Sequence, residues 1–258
     1  MKRSQGQSKI TVVMLWFCCL LLGAVPGHAE PVRFVYFNQF EPFSWTEHYQ
    51  TAPVQGVFID VINEAFHRLG MSVTHKGYPW KRAQAMVQDG DADGMCTIIT
   101  PERLTYAQGT NVPVVVAHFK IFTAADHQKI DQFKQATTVQ DLAGLTFVDV
   151  RGSGWAARYL KDMDVHFMTS YQQLFLYLEA GRADVAIRND WQTQYQIKKL
   201  GFTGKIVMLP QSMTSEPQAY SILIGKRSPF IAHIERLNTV LKEMERDGTL
   251  QTIYNHYK

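Results

Sequence analysis

Two rhythms of apolar and polar residues alternate along this chain. Val32 to Phe37 reads as a strand, followed by a loop from Asn38 to Trp45. From Gly56 to Leu69 the apolar positions Val57, Phe58, Val61, Ile62, Ala65, Phe66 and Leu69 fall at helical spacing, and Gly70 supplies a stop. Met71 to Lys76 reads as a short strand. Trp80 to Gln88 reads as a helix with Ala83, Met86 and Val87 inward, and Met95 to Ile99 as a buried strand. Leu145 to Val150 predicts a strand, Gly152-Ser153-Gly154 a tight turn and Trp155 to Lys161 a helix. A helix from Tyr171 to Ala180, a strand from Asp184 to Ile187 and a helix from Trp191 to Leu200 continue the alternation. Strands at Ile206 to Leu209 and Gln218 to Gly225 precede an amphipathic helix from Phe230 to Arg246, broken at Asp247-Gly248-Thr249. Short connections between alternating elements predict an α/β protein with mostly parallel sheets. Ala124 to Thr138 is polar and reads as a surface excursion.

Two turns carry candidate chemistry. Thr100 is a good helix cap and Pro101 suits the first helical position, which places Arg103 in a first turn beside unpaired N–H groups. An anion anchor and a solvated surface arginine are both consistent with that. At Gly152-Ser153 the glycine turn can present backbone N–H groups to a carboxylate, or can simply join strand to helix. It is neither a Walker loop nor a nucleophile elbow.

The first 29 residues read as a leader. Lys2, Arg3 and Lys9 precede an apolar stretch from Ile10 to Val25, and Gly27-His28-Ala29 offers small residues for cleavage after about Ala29. This predicts export to the periplasm. The whole chain has 26 basic and 23 acidic residues. The leader accounts for three of the basic ones, so the remainder is formally neutral, and charge offers no argument for a nucleic-acid partner. Only Cys96 survives cleavage, within the apolar run MCTII, and reads as a buried structural thiol. No His or Cys spacing suggests a metal site, and no cofactor or catalytic residue is expected.

Several short motifs occur in an informative order: FNQFEPFSW (37–45), GVFID (56–60), YPWKRA (78–83), DG followed by TPER (93–103), the strand and GSG turn (145–154), GRADVAIRND (181–190) and DGTLQTIY (247–254). Together they resemble the bacterial extracellular solute-binding proteins of family 3, the periplasmic receptors of polar amino-acid ABC importers. The resemblance implies a type II periplasmic-binding-protein fold: two α/β lobes, a ligand cleft between them, and two crossover segments. Lobe one would comprise 31–114 plus 219–258, lobe two 117–216, with crossovers near Pro113–Val116 and Glu216–Tyr220. It further implies that Arg103 grips a ligand carboxylate, that Phe40 and Trp80 pack on the ligand, and that Gly152 and Ser153 donate backbone hydrogen bonds. The ammonium-binding aspartate of the family falls at Asn189, with Asp190 next, so either Asp190 takes its place or the ligand lacks a standard α-ammonium. Ile98 stands where the family has a hydroxyl, and Thr97 is its substitute candidate. Phe37 stands where receptors of basic amino acids often carry an acid.

The implied function is capture of an amino acid or similar carboxylate by a monomeric receptor that hands it to an inner-membrane ABC permease or a membrane sensor. The alternatives are an orphan sensor subunit and an enzyme similar to cyclohexadienyl or arogenate dehydratases, for which Glu41 is the candidate general acid.

Overall fold

The computed structural model describes residues 30–47 and 52–257. The leader reading therefore lies outside the described residues. In chain order the elements are β1 (Val32–Phe37), β2 (Gln39–Phe40), β3 (Ser44–Trp45), α1 (Val57–Arg68), β4 (Val73–Tyr78), α2 (Trp80–Asp89), β5 (Gly94–Ile98) and α3 (Pro101–Tyr106). There follow β6 (Ala107–Gly109), β7 (Val115–Ala117), β8 (Phe119–Ala124), α4 (Ile130–Gln135), β9 (Thr146–Val150), α5 (Gly154–Tyr159), β10 (Asp164–Met168) and α6 (Tyr171–Glu179). The last are β11 (Ala186–Asn189), α7 (Asp190–Lys199), β12 (Ile206–Ser212), β13 (Gln218–Gly225), α8 (Ile234–Arg246) and α9 (Thr249–Asn255).

A six-stranded sheet runs in the order β4-β1-β5-β13-β6, with β7 also on β13. One face is covered by α1, α8 and α9 through Phe34, Phe58, Ile62, Phe66, Leu237 and Met244. The other is covered by α2 through Ala83 and Val87. Such fully buried aliphatic and aromatic side chains contribute about 1.5–3 kcal/mol each. A second system holds β11-β8-β12 and β10-β9, linked by a bridge between Phe147 and Val185. Its two faces pack through separate cores, one around Phe133, Phe147 and Ile187, the other around Phe122, Phe175 and Phe202.

The chain passes between the two systems at His118 and again over residues 212–218. These crossings lie side by side, because β7 pairs antiparallel with the start of β13: Ala117 opposite Gln218 and Val115 opposite Tyr220.

The sheets are mixed, not mostly parallel. β1 runs parallel to β4 and β5, and β9 to β10. β13 is antiparallel to β5, β6 and β7, and β8 is antiparallel to β11 and β12. Strand direction is set by partners distant in sequence, which local periodicity does not record. The loop from Asn38 to Trp45 contains a small hairpin, β2-β3, around a cis Glu41–Pro42 peptide. The polar segment 124–138 is not merely a surface excursion: α4 inserts Phe133, fully buried, into the second system. The strand expected from Asp184 begins at Ala186 and runs on to Asn189. The helix expected from Phe230 opens as a 3-10 turn, Pro229–His233, capped by Ser228.

One glycine is obligatory for the site. Gly56 has φ 135°, and an added Cβ would lie 2.3 Å from the Phe43 carbonyl oxygen. That close approach seats the β2-β3 hairpin on the start of α1, where Val57 and Phe58 N–H groups donate to the Pro42 and Phe43 carbonyls.

Candidate functional site

A cavity of about 1120 Å³ opens between the two systems. The first contributes Phe40, Ile98 and Tyr220, and the second contributes the turn and helix from Gly152 to Tyr159 together with Arg188, Asn189 and Gln192. The crossing at 212–218 closes one side. Its aromatic wall is continuous: Trp155 stacks on Phe119 at 4.8 Å and touches Tyr159 at 5.0 Å.

Arg188 is a cation of the second system that lines the cavity from β11. It follows Ile187, whose side chain is in the core, so strand alternation turns Arg188 the other way. Its Nη1 donates to Asp149 Oδ1 on β9, and its Nη2 donates to the Tyr171 hydroxyl at 2.6 Å. The guanidinium also lies over the Tyr171 ring, 5.0 Å from its centre. Asp149 is 1% exposed, and burial pushes its carboxyl above the usual value against the opposing pull of Arg188 and the Val150 N–H. A planar donor held on two sides has one orientation, and Nε of Arg188 remains without an acceptor.

Of the residues singled out in the sequence, Phe40, Gly152, Ser153 and Asn189 line this cavity. Gly152 has φ 83°, a conformation open to glycine. Ser153 caps α5, its Oγ accepting from the Ala156 N–H at 3.2 Å. Asn189 caps α7, its Oδ1 accepting from the Gln192 N–H at 3.1 Å while its Nδ2 donates to Gln218 at 3.2 Å.

Arg103, Trp80, Thr97 and Asp190 are not in the lining. Arg103 does sit in the first turn of α3, with Thr100 accepting from its N–H. Its guanidinium donates to Gln84 Oε1 at 3.1 Å and to the Ile98 carbonyl at 2.9 Å, and lies 5.2 Å from the Trp80 ring centre. This pair therefore stands behind Ile98, one residue back from the wall. Thr97 is buried in β5 opposite Ser221. Asp190 is occupied at the crossing, where its Oδ1 accepts from the N–H groups of His118 at 3.0 Å and Trp191 at 2.8 Å.

Glu41 is also engaged away from the lining. Lys199 donates to both its carboxylate oxygens at 2.9 Å, and Gln196 donates to Oε2 at 2.9 Å. The hairpin of the first system is thus tied to α7 of the second. Sequence reasoning passed over Arg188, Trp155 and Tyr159 as site residues. An arginine at a strand end before a helix cap was the available signal.

No curated protein sequence matches the chain. Solved structures do match. An ancestral cationic amino acid solute binding protein is 21% identical, covering 88% of this chain and 95% of its own, with TM-score 0.69. The unliganded open L-cystine solute receptor of Neisseria gonorrhoeae is 16% identical, covering 88% and 92%, with TM-score 0.71. A histidine kinase sensor domain with similarity to periplasmic binding proteins is 16% identical, covering 89% and 96%, with TM-score 0.61. At these identities the likeness is one of fold. The profile of the bacterial extracellular solute-binding proteins, family 3, matches residues 32–258, through both sheet systems and both crossings, and the chain belongs to that family.

Proposed function

We propose that this protein is a periplasmic receptor that captures an amino acid or related small carboxylate and delivers it to an ABC importer. The observation that carries the reading is the large cavity between two sheet systems joined by two paired crossings. In this reading the systems are lobes, 31–114 plus 219–258 and 117–216. They close about the ladder of β7 and β13, as hinged binding proteins do. Closure would bring Phe40, and Arg103 with Trp80 stacked on it, toward a ligand held at Ser153 and Asn189 of the second lobe.

The reading is non-catalytic. The acid that a dehydratase would need, Glu41, is clamped by Lys199 and Gln196 rather than presented to the cavity. The partner has a second candidate, because a histidine kinase sensor domain shares the fold. Co-purification from solubilised membranes with a permease or with a sensor kinase decides between them.

The binding claim is tested by thermal shift and calorimetry of the purified protein against a broad panel of amino acids and small carboxylates. One chemical class is expected to saturate a single site, and Arg103→Ala is expected to weaken it at least tenfold. A melting temperature unmoved by the whole panel would sink the reading.

A further inference from the structure

The charged groups among the described lining residues of the cavity are two guanidiniums, Arg158 and Arg188, and one carboxylate, Glu216. Three buried polar atoms on lining residues have no partner: Nε of Arg188, Nε1 of Trp155 and the Thr214 hydroxyl oxygen. The oxygen of Gln218 is taken by Asn189 Nδ2 at 3.2 Å and by the Tyr220 hydroxyl at 3.1 Å, which leaves its amide N–H groups unspent. Arg158, also in the lining, lies over the Tyr159 ring at 5.2 Å.

The carboxylates nearby are placed differently. Asp149 is sealed behind Arg188 and is not in the lining. Asp190 is held at the crossing, its Oδ1 by two backbone N–H groups and its Oδ2 3.6 Å from His118 Nδ1, and it is not in the lining. Position 189 holds a neutral amide, and its oxygen is committed to the α7 cap. Among the described lining residues, Glu216 is the one carboxylate, and it lies exposed on the crossing. The formal charges of Arg158, Arg188, Asp149 and Glu216 cancel, so selectivity depends on which of these groups a ligand can reach. Arg188 is in the wall, and Arg158, like Glu216, lies exposed at its rim. The carboxylates are behind it or at its rim.

A ligand ammonium entering this cavity would meet guanidinium groups and no inner carboxylate to replace its water. A carboxylate would meet the Arg188 guanidinium, already held in place by Asp149 and Tyr171, which is the favourable case for charge-assisted bonding. The wall of Phe119, Trp155 and Tyr159 suits a flat apolar body beside that charge.

We propose that the ligand is an organic carboxylate with a flat apolar body and no ammonium group, anchored at Arg188 and laid against Trp155. This rests on the solute-receptor reading above and narrows its ligand class.

The test is calorimetric titration of the purified protein with matched pairs: L-phenylalanine against 3-phenylpropanoate, L-tyrosine against 3-(4-hydroxyphenyl)propanoate, and L-tryptophan against indole-3-propanoate. The ammonium-free member is expected to bind at least tenfold more tightly in one pair or more, with no pair reversed. Asn189→Asp keeps a capping oxygen for α7 and adds a carboxylate to the wall. It is expected to weaken the ammonium-free member at least fivefold and to strengthen its amino-acid partner. Tighter binding of the amino acid in any pair, or equal binding within all of them, overturns the inference and leaves the receptor reading intact. So does a panel hit on a small aliphatic amino acid with no binding in any pair. If neither the pairs nor the broad panel binds, the receptor reading falls and the inference falls with it.

Discussion

Replacing Arg188 with methionine should destabilise the protein in a way that depends on pH. Methionine keeps much of the arginine stem's volume but removes the guanidinium from Asp149, whose carboxyl is 1% exposed. The variant can then keep a buried charge, at about 3–5 kcal/mol, or hold Asp149 neutral. Neutralising an aspartate of ordinary value near 3.9 costs about 4 kcal/mol at pH 7 and about 1.5 kcal/mol at pH 5. Burial already raises the Asp149 value in the native protein, so part of this cost is common to both. The net deficit of Arg188→Met should be about 3 kcal/mol at pH 7 and about 1 kcal/mol at pH 5. The sign follows from a folded-state value raised above the unfolded one: stability is retained at low pH and lost as pH rises. Urea unfolding followed by tryptophan fluorescence at the two pH values measures it. Adding Asp149→Asn should recover most of the loss at pH 7. A deficit below about 1 kcal/mol at pH 7, or one equal at both pH values, would refute the reasoning.

Other expectations follow from single contacts. Asn63 Oδ1 only accepts, so His75 donates to it from Nε2 at 2.7 Å and takes the Tyr36 hydroxyl at Nδ1, 2.8 Å away. Burial lowers the His75 value to about 4. Stability should therefore fall as pH drops from 6.5 toward 4, by about 1 kcal/mol between pH 7 and 5 after allowance for the ring's partial exposure, and the fall should shrink in His75→Gln. Gly56→Ala should cost at least about 3 kcal/mol in urea unfolding, because its Cβ has no space beside Phe43; a loss under about 1 kcal/mol contradicts that placement. The Cys96 thiol is buried, and burial pushes its value well up, so it should resist a thiol-specific reagent until denaturant is added.

The legible parts of this fold were those with local causes. Thr100 and Pro101 announce the start of α3, and the structure caps that helix with the Thr100 hydroxyl. The spacing from Val57 to Phe66 marks the buried face of α1. β8, the middle strand of the second system, was missed because FKIFTA mixes polar and apolar residues without clear punctuation. β10 is an edge strand with little burial: DVHFM alternates over only five residues, and Phe167 lies exposed, so it presents no buried face to read. The candidate site was harder to read for a related reason. Arg188 has its partners 39 and 17 positions away, at Asp149 and Tyr171, and Arg103 is held by Gln84, 19 positions away. No local pattern records such pairings, so a residue's type was visible while its orientation was not.

The central claim is that two lobes close on a solute held between them. Small-angle X-ray scattering of the purified protein, alone and saturated with its tightest binder from the titrations, tests this most directly. Lobe closure should give a smaller radius of gyration on saturation. A ligand that binds tightly at Arg188 and leaves the scattering curve unchanged would contradict it.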